Sequence, residues 1–125
     1  MLVLFIDDDK EDYEVFCEAL KGIVRNTKCL YASNGLEALD LLTNQLPFLP
    51  DYIFLDINMP LMGGEECLEL IKFHPTVKDV PVIMYSTTEN RDEIERFKKL
   101  GAKDFIIKAP TFMGLVNSIK RVLVQ

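Results

Sequence analysis

Short apolar runs alternate with amphipathic segments along the whole chain. Five runs have the length and composition of β-strands, and they lie at residues 2–6, 28–32, 52–55, 82–85 and 104–107. The segments between and after them place apolar residues at helical spacing, in the first case at Val15, Phe16, Ala19, Leu20, Ile23 and Val24. The third run is apolar at every position, which is typical of a parallel strand covered on both faces. The pattern predicts a parallel sheet with helices on both sides.

The length of the chain favours one domain with a defined strand order. Five β-α units in 125 residues are enough for a single hydrophobic core, and the chain is too short to form two cores. Right-handed crossovers and the size favour a flavodoxin-like (βα)5 doubly wound α/β sheet with strand order 2-1-3-4-5. Asn34 and Asn90, each with a glutamate three residues later, and Thr111 mark helix starts. We predict one domain over residues 1–125 with no further domain attached.

Charge and composition exclude several classes of function. The net charge of −6 and the lack of a basic stripe argue against binding to nucleic acid. The first apolar run is too short to span a membrane and leads directly into three aspartates, so it is neither an anchor nor a signal peptide. Cys17, Cys29 and Cys67 are widely spaced and are predicted to be reduced core residues. These features predict a cytoplasmic protein that does not bind membranes.

Acidic residues follow two of the predicted strands directly. Asp7, Asp8 and Asp9 come after the first strand, and Asp56 comes after the third. In such sheets, ligands bind beyond the carboxyl ends of the strands, near the switch point between strands one and three. Neighbouring strands are about 4.8 Å apart, so Asp8 and Asp56 can bracket one small divalent cation. Asp9 is better suited to be the N-cap of the first helix than to be a ligand.

Two further strands bring a hydroxyl group and an ammonium group to the same edge. Ser86 and Thr87 follow the fourth strand, and Lys108 follows the fifth. A divalent cation and a lysine neutralise phosphoryl oxygens while a hydroxyl hydrogen-bonds another, so this set favours phosphoryl transfer. The acceptor must be a carboxylate, because the single His74 lies in a loop away from this edge. Asp56 is the central candidate, as a nucleophile that forms an acyl phosphate.

Four stretches of the sequence together indicate a family. They are FIDDD at residues 5–9, LDINMP at 55–60, PVIMYST at 81–87 and GAKDFIIK at 101–108. The chain resembles the response-regulator receiver domains of two-component signalling, and the resemblance covers its whole length. It implies a stand-alone, single-domain regulator over residues 1–125, with no attached output domain.

The resemblance implies an acceptor and a metal site. Asp56 is expected to take a phosphoryl group from a sensor histidine kinase or a histidine phosphotransfer protein. The carboxylates of Asp8 and Asp56 and the backbone carbonyl of Asn58 are expected to hold Mg²⁺, with Asp7 acting partly through water. The family therefore implies a magnesium-dependent phosphoprotein.

The resemblance also implies a route for the signal. Ser86 and Lys108 are expected to bind the phosphoryl group. Phe105 occupies the aromatic switch position and is expected to turn inward as Ser86 moves toward the phosphate. This movement would remodel the face made by helix four, strand five and helix five, which a protein partner would read. The sequence does not specify that partner, and it allows either a monomer or a phosphorylation-linked homodimer.

Two positions depart from the family pattern. Ala109 separates Lys108 from Pro110, whereas the family usually has proline directly after the lysine, often through a cis bond. A cis bond before alanine would cost about 3 kcal/mol, so we expect a different loop geometry here. Gly63 stands where the family often has an aspartate, and we expect this to alter the loop near Asp56 without abolishing its chemistry.

Three other functions are compatible with parts of the pattern. A flavin- or nucleotide-binding module would need a glycine-rich phosphate loop after strand one, where this chain has aspartates that repel phosphate. A Mg²⁺-dependent aspartyl-phosphate hydrolase would need an acid at the position of Asn58, whose amide cannot transfer protons in that way. The third alternative is a receiver-like docking module that is not phosphorylated. We predict a regulatory phosphoacceptor and not an enzyme, with self-dephosphorylation influenced by Asn58 and Thr88.

Overall fold

Five parallel strands form the sheet, in the spatial order β2-β1-β3-β4-β5. The computed structural model describes residues 1–123, so residues 124 and 125 of the predicted domain lie outside the described part. The strands are β1 Leu2–Ile6, β2 Lys28–Ala32, β3 Tyr52–Asp56, β4 Val82–Ser86 and β5 Asp104–Ile107. The helices are α1 Lys10–Ile23, α2 Gly35–Asp40, α3 Gly64–Phe73, α4 Arg91–Lys99 and α5 Phe112–Leu123, with a π-helical turn, Leu41–Gln45, continuing α2. The predicted flavodoxin-like fold and strand order are confirmed.

Two strands extend one residue beyond their predicted ends. Asp56 continues β3 and pairs with Tyr85, and Ser86 continues β4 and pairs with Ile107. The apolar pattern stops earlier because both residues are polar, whereas pairing with the neighbouring strand keeps their backbone extended. Both side chains are therefore attached to the sheet and not to a loop.

Alternating strand residues build two separate halves of the core. On one face, Phe5 and Phe54 pack with residues of α1 and α5. On the other face, Leu4 and Leu55 pack with residues of α2, α3 and α4. Because helices cover both faces, the central strand residues are apolar on both sides, as the sequence predicted. Within residues 1–123, no helix combines the length and the apolar character that crossing a membrane requires.

Polar caps begin the helices where the sequence predicted them. Asp9, Asn34 and Asn90 each accept hydrogen bonds from backbone amides in the first turn of the helix that follows. Thr111 caps α5, since its hydroxyl accepts a hydrogen bond from the Gly114 amide at 3.0 Å. Asp9 therefore has the structural role that its position in the aspartate run suggested, and the caps fix where α1 starts beside the end of β1.

Candidate functional site

Three carboxylates converge at the carboxyl ends of β1 and β3. One oxygen from each of Asp7, Asp8 and Asp56 lies within 4.8 Å of the oxygens of the other two. The two strands are direct neighbours, and the pairing of Ile6 with Leu55 brings the residues after them together. Asp7 and Asp56 are 0% and 6% exposed, whereas Asp8 is open to solvent. The predicted acidic cluster is present, and two of its three members are buried.

Lys108 reaches this cluster from the end of β5. Its Nζ lies 3.2 Å from Asp7 Oδ2 and 3.5 Å from Asp56 Oδ1. The Lys108 backbone amide donates a hydrogen bond to the Ser86 carbonyl at 2.7 Å, which continues the ladder between β4 and β5 to the site. The ammonium also lies 5.1 Å from the centre of the Tyr85 ring. The sheet thus brings the predicted lysine into contact with two of the predicted carboxylates.

A fourth carboxylate in the site, that of Asp12, was not predicted. Asp12 lies in the first turn of α1, and its Oδ2 accepts a hydrogen bond from Lys108 Nζ at 2.9 Å. A signal was present in the sequence, since Asp12 follows the N-cap Asp9 by three residues and belongs to a helix that starts at the strand ends. Spacing alone does not show which acid of a first helical turn faces the sheet.

Burial and charge shift the pKa values of the site residues. Burial raises the pKa of Asp7 to about 6 from its usual 3.8, and the neighbouring Asp56 charge adds to the rise. Burial also raises the pKa of Asp56, although Lys108 opposes this rise. Burial acts to lower the pKa of Lys108, but its hydrogen bond to Asp12 and the charges of Asp56 and Asp7 raise that pKa overall. The site therefore holds an excess of negative charge that a further cation would stabilise.

Replacing Asp7 with asparagine is expected to stabilise the metal-free protein near neutral pH. The pKa of Asp7 is higher in the folded state than in the unfolded state, so its contribution to stability is lost as the pH rises from 3.8 through about 6. A tenfold change in proton affinity corresponds to about 1.4 kcal/mol. Because the variant also loses a hydrogen bond to Lys108, we expect a net gain of about 2 kcal/mol, measured by urea unfolding in a chelator near pH 7.5.

The same measurement near pH 4 should show a much smaller difference, because the carboxyl of Asp7 is then mostly neutral in the wild-type protein. Asp79→Asn replaces an exposed aspartate outside the cluster and should change the free energy of unfolding by less than about 0.5 kcal/mol at either pH. If metal-free Asp7→Asn is less stable than the wild-type protein near pH 7.5, the inference that the cluster holds an unfavourable excess of negative charge is wrong.

The hydroxyl of Ser86 is held by the loop between β4 and α4. Ser86 is 2% exposed, and its Oγ accepts a hydrogen bond from the Thr88 amide at 3.4 Å. Thr88 Oγ1 donates in turn to Glu93 Oε2 of α4 at 3.1 Å, while Thr87 is exposed. The predicted hydroxyl therefore lies at the correct edge, and Thr88 connects its loop to α4.

Phe105 contacts both helices that flank β5. Its side chain is 5% exposed and lies inward, with its ring centre 6.3 Å from that of Phe97 in α4. Its backbone carbonyl accepts a hydrogen bond from Arg121 Nη2 of α5 at 3.0 Å. The ring is already inward in this structure, in which Lys108 contacts carboxylates. One residue of β5 therefore joins α4, β5 and α5.

The loop between β3 and α3 packs closely against Asp56. The Gly64 amide donates a hydrogen bond to the Ile57 carbonyl at 2.7 Å. A β-carbon on Gly64 would lie 2.5 Å from the Asp56 carbonyl oxygen and 2.7 Å from Ile57 Cα, so only glycine fits there. A β-carbon on Gly63 would have its nearest neighbour at 3.7 Å. Asn58 is exposed in the same loop, two residues after Asp56.

The alanine that departs from the family pattern leaves the strand-end lysine in place. The peptide bonds among residues 1–123 are all trans, which includes the bond between Lys108 and Ala109. Lys108 nevertheless contacts both Asp7 and Asp56. The hydrogen-bonded pairing of β5 with β4, and not a cis peptide bond, positions the Lys108 side chain.

The donor set of the cluster fits a hard divalent cation. Carboxylate oxygens are the ligands that Mg²⁺ prefers, and oxygens from Asp7, Asp8 and Asp56 converge where Lys108 compensates only part of their charge. Mg²⁺ is usually bound through one or two carboxylates together with waters and phosphate oxygens, so this set is sufficient. The cluster is therefore a candidate magnesium site.

Comparison with known proteins shows the family. A sequence model of the response regulator receiver domain matches residues 3–120 of the 125. The chain belongs to this family. Receiver domains are regulatory modules of two-component signalling that are phosphorylated by histidine kinases or phosphotransfer proteins and that bind a divalent metal.

Individual relatives match over nearly the whole receiver domain. Response regulator Rcp1 of Synechocystis sp. is 26% identical over 125 residues, which cover 97% of this chain and 85% of that protein. The crystal structure of the phosphorylated cyanobacterial phytochrome response regulator RcpA is 30% identical with a TM-score of 0.86, covering 97% of this chain and 89% of that one. The Mn²⁺-bound form of Rcp1 is 26% identical with a TM-score of 0.84, covering 97% and 90%.

Proposed function

We propose that this receiver domain is a response regulator in which Asp56 accepts a phosphoryl group from a histidine kinase or a histidine phosphotransfer protein, in a Mg²⁺-dependent reaction. The observation that carries the proposal is the position of Asp56, which is 6% exposed, clusters with two other carboxylates and lies 3.5 Å from Lys108 Nζ. A carboxylate with an adjacent cation and adjacent metal ligands has the partners that phosphoryl transfer needs. The similarity to RcpA, which is described as phosphorylated, supports the same chemistry.

The proposed reaction forms an acyl phosphate. An oxygen of the ionised Asp56 side chain forms a bond to phosphorus while the bond from phosphorus to the donor histidine nitrogen breaks, and that nitrogen keeps the electron pair. Water later hydrolyses the acyl phosphate and releases inorganic phosphate, which restores the carboxylate. Asn58, exposed near Asp56, and Thr88, beside Ser86, are the proposed influences on the rate of this hydrolysis.

The proposed metal ligands are the side chains of Asp7, Asp8 and Asp56 and the backbone carbonyl of Asn58. Bound Mg²⁺ neutralises negative charge on phosphoryl oxygens and on the carboxylates around them. The convergence of the three carboxylates and the similarity to Rcp1, described in a Mn²⁺-bound form, support this assignment. Because Asp7 Oδ2 lies 3.2 Å from Lys108 Nζ, the buried Asp7 carboxylate would stabilise the charge of Lys108 as well as that of the metal.

Ser86 and Lys108 are the proposed ligands of the phosphoryl group. Ser86 exchanges its weak hydrogen bond from the Thr88 amide for one to a phosphoryl oxygen, and Lys108 forms an ion pair with another. Movement of Ser86 alters the loop that leads into α4, and the packing of Phe105 against Phe97 transmits the change to β5. This route is supported by the contacts of Phe105 with both flanking helices.

The proposed output is the face made by α4, β5 and α5, which binds a protein partner according to the phosphorylation state. The partner is a downstream protein or a second copy of this chain, and neither nucleic acid nor membrane is involved. The net charge of −6 disfavours nucleic acid as the partner, and the proposed place of the interaction is the cytoplasm.

Incubation with Mg²⁺ and acetyl phosphate tests the proposal. We expect the intact mass to increase by about 80 Da, which corresponds to one phosphoryl group. A chelator should abolish the increase, because the anionic donor then meets an uncompensated acidic cluster. Circular dichroism of the chelated protein shows whether the fold is retained.

Other outcomes would indicate the alternatives. Continuous release of phosphate, in large excess over protein, would indicate an aspartyl-phosphate hydrolase. A folded protein that gains no phosphoryl group in the presence of Mg²⁺ would indicate a docking module that is not phosphorylated. Copurified flavin would indicate a nucleotide-binding module. Each of these results would contradict the proposed function.

A further inference from the structure

We propose that Asp12 is a positioning residue that holds Lys108 in a resting position and releases it to the phosphoryl group. Asp12 thereby slows the phosphorylation of Asp56. The inference rests on the proposed function of Asp56 and deepens it, because it adds a residue of α1 that controls the lysine of β5.

Of the three carboxylates that contact the Lys108 ammonium, Asp12 is the nearest. Asp12 Oδ2 lies 2.9 Å from Lys108 Nζ, compared with 3.2 Å for Asp7 Oδ2 and 3.5 Å for Asp56 Oδ1. The ammonium donates hydrogen bonds to Asp12 and Asp7, while Asp56 has the longer ion-pair contact. The cation that an incoming phosphoryl group needs is therefore bonded to other carboxylates before the reaction.

Burial determines which of these two hydrogen bonds can be given up. The Asp7 side chain is 1% exposed and the Asp12 side chain is 37% exposed. Separating Lys108 from Asp7 would leave a buried carboxylate without its cation, whereas water can solvate Asp12 when Lys108 leaves. Asp12 and Lys108 also border a cavity of about 190 Å³ beside α1 and the start of α5, so water can reach the Asp12 carboxylate when Lys108 leaves it. Asp12 is thus the partner that Lys108 leaves.

The charge of Asp12 also opposes the phosphoryl donor. Asp12 adds a negative charge to a site that already contains Asp7, Asp8 and Asp56, with Lys108 as the neighbouring cation. A small phosphodonor is itself an anion, so it is repelled by each uncompensated carboxylate. Removing the Asp12 charge weakens this repulsion and also weakens the hold of the Asp12 side chain on the ammonium. Both effects are expected to speed the phosphorylation of Asp56.

Asp12→Asn is expected to form the adduct with acetyl phosphate and Mg²⁺ about fivefold faster than the wild-type protein, a factor equal to about 1 kcal/mol. In this reaction the Asp56 oxygen bonds to phosphorus, and acetate leaves with the electron pair of the broken bond. Asp12→Glu keeps a carboxylate at this position, so its rate of adduct formation should be within about twofold of the wild-type rate. Glu11→Gln removes a charge from an exposed residue of the same helical turn and should not change the rate. Intact-mass time courses measure all four proteins.

A second readout follows Lys108 without any phosphorylation. The ¹⁵N–¹H signal of a lysine ammonium is observed when hydrogen bonds and burial slow its proton exchange with water. In the metal-free wild-type protein we expect such a signal for Lys108, assigned by its loss in Lys108→Arg. Asp12→Asn should shift and broaden this signal, because a neutral amide replaces the carboxylate that accepts its shortest hydrogen bond and holds the ammonium less strongly. Glu11→Gln should leave the signal unchanged.

The outcomes separate the two proposals. If the wild-type protein forms no adduct, the proposed function of Asp56 is wrong, and the effect of Asp12 on its rate is overturned with it. If the wild-type protein is phosphorylated but Asp12→Asn reacts no faster, or if Asp12→Asn keeps an unchanged Lys108 signal, only the role of Asp12 is overturned. Faster phosphorylation of Asp12→Asn together with rescue by Asp12→Glu supports the proposal.

Discussion

Replacing Asp56 with asparagine is expected to abolish the phosphoryl adduct, reducing its yield on the order of 100-fold or more. An asparagine amide does not form an acyl phosphate, and no neighbouring carboxylate has the same surroundings. Asp8 is exposed, and Asp7 accepts hydrogen bonds from Lys108 and from the Asp9 amide. Intact-mass spectrometry after incubation with Mg²⁺ and acetyl phosphate measures the loss.

Asp9→Asn is the matched control for this experiment. It removes a carboxylate next to the cluster but keeps a residue that caps α1 equally well. Its adduct should form in nearly the wild-type yield, because the Asp9 side chain is committed to the amides of Glu11 and Asp12. If Asp56→Asn still gains a full phosphoryl group, the acceptor is another residue.

Replacing Gly64 with alanine is expected to lower the free energy of unfolding by about 3 kcal/mol. The added β-carbon would lie 2.5 Å from the Asp56 carbonyl oxygen and 2.7 Å from Ile57 Cα, and these backbone atoms cannot rotate away as a flexible side chain could. Because the backbone of Asp56 must shift to relieve the overlap, adduct formation should also slow. Urea unfolding and the time course of the adduct measure the two effects.

Gly63→Ala provides a control one position earlier. Gly63 has φ of −70°, which alanine adopts readily, and its β-carbon would meet nothing closer than the Ile57 carbonyl oxygen at 3.7 Å. We expect its stability to lie within about 0.5 kcal/mol of wild type. Equal losses in the two alanine variants would contradict the steric explanation for Gly64.

Strand order and the location of the site could be predicted because both depend on whole elements. A fully apolar β3 and the polar residues after β1, β3, β4 and β5 are visible without knowing any side-chain orientation. The parallel arrangement then places those polar residues at one edge. The ends of β3 and β4 were predicted less accurately. Asp56 and Ser86 pair with neighbouring strands, although their polarity suggests that they belong to loops.

Contacts that depend on how one element packs on another could not be predicted. Glu11 and Asp12 are both acids in the first turn of α1, and only the packing of that helix on the sheet brings Asp12 to Lys108. The inward position of Phe105 is set in the same way, by its contact with Phe97 of α4. The steric need for glycine at position 64 depends on the approach of α3 to the backbone of β3.

Locating the phosphoryl group on the chain is the most direct test of the central claim. Sodium borohydride reduces an aspartyl phosphate to homoserine, so peptide mapping after reduction identifies the acceptor. We predict homoserine at position 56, and only in protein that was treated with both a phosphodonor and Mg²⁺. Homoserine at position 7 or 8, or a phosphoryl group found on a serine, threonine or histidine side chain, would contradict the assignment of Asp56 as the acceptor.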